Sequence, residues 1–531
     1  MKTGLRTLVD AEFGPRKALT VLLLMALAAG FLSTLVAIAR PFWYDEICTV
    51  IMCRLPTIHE LWGALDHAAD SNPPLYYITG RISHIFIADE QVAYRLPSVI
   101  GLVVAVIALY FILARTVDRV SALAGAAFLL CSLLSTYAYE ARPYAIMVAC
   151  LTVAIFAWQR LDDSWLYYIG FAVALAAAVS LHYYAILAWP AFVVAEAVRW
   201  LFTRRFRPAA WGAMVIGGAA LVVFAPLLLH FRQAFGRHFW ARPYFAQILS
   251  TYSDLFNLVG YWGWCFTVVA GAVLLYWALP ERFVLRSSAG RPRRTPKIPI
   301  EECALTLALL SLPVMGVVAA KVGGGGMTTR YILPAVLGGA MAAGYLTSAA
   351  PSSIRVLLLG VLMMNYGLSS IRDVKHFRTG WEHGTRAAIT RDINEIIGSD
   401  ETGRLPLVIS SALDYFPLNY YAAPEARQRL YVLADPAGAM KFINTDSVDA
   451  ELPILQRYFP LQIEPYDRFA SEHREFMLIS TGAGKSFDWW PRRLSQDGDR
   501  LTVVSTDGDL TIYRVTLAPQ QAIATRSVTR D

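Results

Sequence analysis

From about residue 18 onward, long apolar runs alternate with short polar breaks. The runs fall near 18–39, 93–114, 120–137, 143–159, 165–181, 183–200, 211–230, 260–279, 302–320, 331–349 and 354–371. A hydrocarbon core of about 30 Å takes roughly 20 apolar helical residues to cross. The pattern therefore predicts a mainly α, polytopic membrane protein with about eleven transmembrane helices. The third, fourth and fifth runs are short, so their ends are soft. After Ile371 the pattern changes. "RDVKHFRTGWEHGTRAAITRDINEIIGSDETGRLPLVIS" is polar with helix-like spacing and ends in a short strand-like run, and "RLYVLAD" and "EFMLIST" read as buried strands. In "LTVVSTDGDLTIYRVTL", Asp507-Gly508 separates two alternating apolar runs, a hairpin signal. Residues 1–371 are thus expected to form the membrane domain, with a first outer loop at 40–92, and 372–531 a small soluble α/β domain.

Composition agrees with this class. Of 531 residues, 56% are hydrophobic and 16% charged, and mean hydropathy is +0.45. The first run is too long for a secretory signal and lacks a small-residue cleavage site, so it is expected to remain as a span. The net charge of +7 is informative through its placement. With the N-terminus inside, eighteen Lys and Arg residues fall on inner segments and ten on short outer ones. The loop "ERFVLRSSAGRPRRTPK" contributes most to that bias. An odd span number then puts the C-terminal domain outside the cytoplasm. Membrane lipid is the implied partner, and nucleic acid is not. The six cysteines have no metal-like spacing. Cys48 and Cys53 can meet in an oxidising compartment, but a disulfide is not the expected state.

On this topology unusual polar residues collect at the outer surface. "RPFWYDEICTVIMCRL" carries Asp45 and Glu46 just after the first run, and adjacent acids contribute nothing to insertion. Glu140 and Arg142 in "STYAYEARPYAI" cap the next outer hairpin, His182 in "LHYYAILAWP" caps the third, and Arg330 and Tyr331 in "GGGGMTTRYILP" begin a late span. Each has an ordinary structural reading. Trp43 and Tyr44 read first as interfacial belt aromatics. Arg142 reads as a snorkelling residue or as the partner of Glu140, His182 as a satisfied interfacial histidine, and Arg95 as an interface anchor. The Asp45–Glu46 pair is the hardest to explain structurally, and function is favoured there.

The stretch "FWYDEICT" resembles the acidic first-loop motif of the GT-C glycosyltransferases that use polyprenyl-phosphate sugars. These include protein O-mannosyltransferases, lipid A aminoarabinose transferases and lipopolysaccharide-core transferases. "NPPLYY", "YRLPS", "YEARPYA", "LHYYA" and "TTRYILP" follow in the family's order, so the resemblance covers residues 18 to about 371. It implies an inverting transferase of the inner membrane, acting outside the cytoplasm. The donor would be a polyprenyl-phosphate-linked sugar and the acceptor a lipid, glycan or protein hydroxyl. Asp45 matches the family's general base, with Glu46 beside it. Arg142 and Arg330 are the first candidates for the donor phosphate, with Arg95, Arg232, Arg237 and Arg242 behind them. Tyr139, Glu140, His182, Tyr183 and Tyr331 complete the expected substrate contacts. Where relatives often have His or Lys before "PPL", this chain has Asn72, which brings hydrogen bonds but no charge. Glu46, Asp70, Glu140, His67 and His182 lack tight ligand spacing, so no required cofactor or metal is expected, although a divalent ion is conceivable.

"STGAGKS" looks like a phosphate loop, but the position needing the first glycine holds Ile479. Two other function classes compete with the transferase. A transporter or flippase of lipid-linked sugars should place ionisable groups near mid-membrane or show broken, repeated spans. A scaffold with an outer binding domain would not need converging acids and arginines.

Overall fold

The computed structural model describes residues 14–235, 238–257, 298–383, 405–482, 487–507 and 510–519. The expected span at 260–279, the basic segment 282–297, Arg237, Cys265, Gly508 and most of the polar helix-like stretch before Leu405 lie outside those residues. The described residues form two units.

The first unit comprises residues 1–41, 52–237 and 241–377. Helices occupy every apolar run that falls within the described residues. Five are long and apolar enough to cross a membrane: Pro15–Ala39, Glu90–Leu113, the continuous stretch Tyr183–Thr203, Pro208–Phe235, and Ser352–Arg378 within the helix Ser352–His383. Ile300–Leu310 and Leu312–Gly323 make a sixth if taken as one span bent by 52°. Pro313 sits at the start of the second piece, where its missing N–H breaks the helical ladder. Arg119–Leu130, Tyr144–Trp158, Leu166–Leu181 and Ala335–Ala349 are apolar but shorter. The count of eleven is therefore not reached among the described residues. At 1.5 Å per residue these shorter helices fall below the hydrocarbon thickness. The chain is a multi-pass membrane protein.

Local signals explain the helix starts. Asp89 accepts the Val92 N–H at 2.9 Å and Asp118 the Ser121 N–H at 3.1 Å, each satisfying an orphan donor of the first turn. Gly101 lets the Glu90–Leu113 helix meet Tyr144–Trp158, because a Cβ there would lie 2.6 Å from the Ile146 backbone. The stretch at 40–92, expected as a loop, is largely helical: Tyr44–Arg54, Ile58–Asp66 and Leu75–Phe86. Thr57 and Glu60 form a capping box at the second of these.

The second unit comprises residues 42–51, 238–240 and 378–531. Its strands are β1 (Leu407–Ile409), β2 (Leu430–Ala434), β3 (Ile463–Pro465), β4 (Glu475–Ser480), β5 (Arg500–Asp507) and β6 (Leu510–Thr516), in the order β3-β2-β1-β4-β6-β5. β1–β4 are parallel neighbours, whereas β6 runs antiparallel to β4 and β5. Asp507 pairs with Leu510 across the expected hairpin. Phe469, Phe476, Trp489 and Trp490 lie in the core beside this sheet. The segment 42–51 packs within this unit although its sequence lies near the N-terminus. Cys48 and Cys53 are buried and not joined in a disulfide.

Candidate functional site

In the first unit Arg95 is completely buried. Its guanidinium donates to the carbonyls of Ala37, Arg40 and Pro41, the last two at 2.6 and 3.1 Å. These are the terminal carbonyls of the Pro15–Ala39 helix and the chain leaving it, the acceptors an α-helix cannot satisfy internally. Arg95 is therefore a helix clamp, and the expected substrate contact at this position is not supported.

Asp70, Asn72 and Arg142 form a buried polar knot. Arg142 Nη1 lies 3.3 Å from Asp70 Oδ2. Asp70 Oδ1 accepts from the Ser71 N–H at 2.5 Å and from Asn72 Nδ2 at 3.2 Å. Arg142 thus forms an ion pair with Asp70, and Glu140 forms one with Arg40, at 2.8 Å. Glu140 and Arg142 are also joined through the backbone, where the Arg142 N–H donates to the Glu140 carbonyl at 2.8 Å. Tyr139 donates to Asp373 Oδ2 at 3.1 Å, and the Arg40 guanidinium lies 5.7 Å from its ring centre.

His182 ends the Leu166–Leu181 helix and is surrounded by rings: Tyr144 at 5.2 Å, Tyr331 at 5.5 Å and Tyr184 at 5.8 Å between centroids. Its Nδ1 accepts the Tyr184 N–H at 3.2 Å, which assigns the proton of the neutral ring to Nε2. Burial, then the nearby Arg142 and Arg330 charges, lower its pKa to about 3, so the imidazole is neutral at physiological pH. The Arg330 guanidinium lies 5.9 Å from the Tyr144 ring centre and 5.8 Å from that of Tyr331. Tyr331 stacks on Tyr184 at 4.5 Å. Tyr183 is buried near the Asp70 carboxylate.

Seven of the expected or weighed residues thus come together in this unit: Asp70, Asn72, Arg142, His182, Tyr183, Arg330 and Tyr331. Two guanidiniums, an imidazole N–H and phenols beside the Asp70 carboxylate suit an oxyanion flanked by an apolar or ring-shaped group. Sequence reading missed Tyr144, Tyr184, Arg40 as the partner of Glu140, and Asp70 as the partner of Arg142. The motifs "YEARPYA" and "LHYYA" contain the first two. Arg232 and Arg242 are exposed. Among the described residues, no three His, Cys, Asp or Glu side chains are grouped to hold a metal ion.

Asp45 and Glu46 belong to the second unit, on the first turn of the helix Tyr44–Arg54. Glu46 is fully buried, and its carboxylate accepts the Trp43 N–H at 3.4 Å, the reach-back of a capping side chain. Asp45 is partly exposed. Tyr44 is buried, donates to Glu451 Oε2 at 3.1 Å and meets Phe416 edge-on at 4.9 Å. It packs in a protein core, not in an interfacial belt.

Against known proteins, residues 70–230 match the model of the dolichyl-phosphate-mannose-protein mannosyltransferase family. Across nearly the whole chain the structure is similar to ArnT from Cupriavidus metallidurans. The apo form gives a TM-score of 0.58 at 14% identity, covering 94% of this chain and 98% of that one. The fold is ArnT-like. The form of that ArnT bound to undecaprenyl phosphate matches over the same shares, at TM-score 0.56 and 13% identity. Comparison with curated proteins finds no match. The GT-C resemblance carried by the ordered motifs is therefore borne out, and so are the helical membrane domain and the small C-terminal sheet domain.

Proposed function

We propose that this protein is an inverting glycosyltransferase that moves a sugar from a polyprenyl phosphate to an acceptor hydroxyl outside the cytoplasm. The observation that carries this reading is the cluster around His182, where Arg142 and Arg330 flank a neutral imidazole among stacked tyrosines. Such a site offers charge and hydrogen bonds to a phosphate and ring faces to a sugar or an isoprene unit. The GT-C fold supports the reaction class, and the undecaprenyl phosphate bound by the similar ArnT supports the donor class.

In the reaction, the acceptor oxygen attacks the anomeric carbon as the bond from that carbon to the phosphate oxygen breaks. The lipid phosphate leaves with the electron pair, and the acceptor proton passes to Asp45. One displacement inverts the anomeric configuration. Asp45 is the better base of the acidic pair, because it is partly exposed while Glu46 is buried as a cap. A positioned base contributes about 10²–10⁴-fold. Arg142, Arg330 and the His182 N–H are the donors proposed to meet the charge that grows on the phosphate.

The test is to compare envelope glycans and glycoproteins by mass spectrometry in cells with and without this protein, and with its Asp45→Asn variant. One added sugar mass should disappear from a single acceptor class in both deficient strains. Unchanged glycan masses in the deletion strain, with acceptor present, would overturn the reading.

A further inference from the structure

We infer that the C-terminal domain takes part in the reaction by holding the segment that carries Asp45, with Tyr421 and Glu451 as its positioning residues. The inference rests on the proposed role of Asp45.

The segment and its holders lie within one unit but far apart in sequence. The Phe42 N–H donates to the Tyr421 hydroxyl oxygen at 2.8 Å, across 379 residues of chain. The Tyr44 hydroxyl donates to Glu451 Oε2 at 3.1 Å, across 407. Ring contacts lie beside these bonds: Phe42 meets Tyr420 edge-on at 5.8 Å, and Tyr44 meets Phe416 at 4.9 Å. Phe416, Tyr420 and Tyr421 share the helix Ala412–Tyr421, and Glu451 lies on Ser447–Leu455.

The pattern of burial is selective. Phe42, Tyr44, Glu46, Ile47, Cys48, Thr49 and Val50 are all buried, while Trp43 and Asp45 are not. The first turn of a helix is ordinarily its loosest part, because its N–H groups have no partners within the helix. Here the turn is capped by Glu46 and pinned on both sides of Trp43, so the Asp45 carboxylate is presented from a fixed backbone. A base misplaced by about 1 Å loses on the order of 10²-fold in rate. Burial and the Glu451 charge push the Tyr44 phenol well above its usual pKa, so it remains a hydrogen-bond donor at working pH.

The experiment uses the full-length protein in membranes, with Tyr421→Phe, Glu451→Ala and the conservative Glu451→Gln. Two readouts are taken. Cys48 is 3% exposed, so its maleimide labelling, located by peptide mass, reports whether the segment is docked. Turnover with a polyprenyl-phosphate sugar reports the consequence. Expected are faster Cys48 labelling and a kcat lower by roughly ten- to a hundredfold, with KM for the donor within about twofold and partial rescue by Glu451→Gln. In an Asp45→Asn background the same substitutions should cost no further rate, since they act only through Asp45. Faster labelling with wild-type turnover would overturn the inference, as would unchanged labelling in both variants. An equal further loss in the Asp45→Asn background would show ordinary destabilisation and overturn it as well. Wild-type turnover by Asp45→Asn itself would instead remove the base assignment, while Cys48 labelling would still decide whether the domain holds the segment.

Discussion

Arg142 and Asp70 form an ion pair with both side chains buried, Nη1 to Oδ2 at 3.3 Å, although 72 residues separate them in sequence. A buried charge stripped of its partner costs about 3–5 kcal/mol. Arg142→Ala should therefore lower stability sharply, and adding Asp70→Asn should recover much of it. In that folded double variant and in Arg330→Ala, affinity for a polyprenyl-phosphate analogue should fall by about 10- to 150-fold, matching 1.5–3 kcal/mol per charged hydrogen bond. Titration of the analogue measures this, and wild-type affinity in both proteins would rule out the phosphate role.

Asp45→Asn should leave the protein folded and inserted while transfer falls about 10²–10⁴-fold. Asp45 is partly exposed and not built into the cap, so the amide should be tolerated. Glu46→Gln should act mainly on stability, because the Glu46 carboxylate receives the Trp43 N–H. Turnover and thermal midpoint, measured side by side, separate the two.

Arg95→Ala should destabilise the first unit without selectively weakening donor binding. Three carbonyls lose a charged donor at once, and each unsatisfied buried group costs about 1–3 kcal/mol. Arg95→Lys should rescue only part, since an ammonium lacks the planar fork that spreads across several acceptors. A donor-affinity defect at unchanged thermal midpoint would return Arg95 to the binding site.

The pKa of His182 is lowered in the folded protein from 6.5 to about 3. Between those values the unfolded chain binds the extra proton, so stability is full above about pH 6.5 and falls with pH, by up to roughly 1.4 kcal/mol per unit. His182→Gln should flatten thermal midpoints measured between pH 4.5 and 7. A wild-type slope in the variant would assign the acid sensitivity elsewhere.

Protease added to intact spheroplasts should remove the chain beyond Arg378 and spare 282–297. The positive charge bias predicts that orientation. The reverse cleavage pattern would place the donor site on the other side of the membrane.

Hydropathy and turn chemistry are local properties, which is why so much of the architecture was readable from residue order. Every described apolar run is a helix. The two alternating runs on either side of the Asp-Gly signal do pair as antiparallel strands, with Asp507 opposite Leu510. β3 escaped notice because three residues ending in a proline carry almost no strand signal. Helix length was less readable, since kinks such as that before Pro313 depend on packing as well as on composition.

The candidate site divides in the same way. The sequence by itself determined that carboxylates, arginines and tyrosines occur at the ends of apolar runs, because charge cannot stay inside hydrocarbon without compensation. The residue pattern did not separate Asp45 from Glu46, which only the motif resemblance did. Neighbours on a helix point about 100° apart, and only the fold decides which direction is filled with protein. Nor could it say that Arg95 serves carbonyls at 37–41 or that Arg142 pairs with Asp70, 72 residues away. Those choices belong to the tertiary structure, because a guanidinium withdrawn from water takes whichever acceptors the packed helices place within reach, at any distance along the chain.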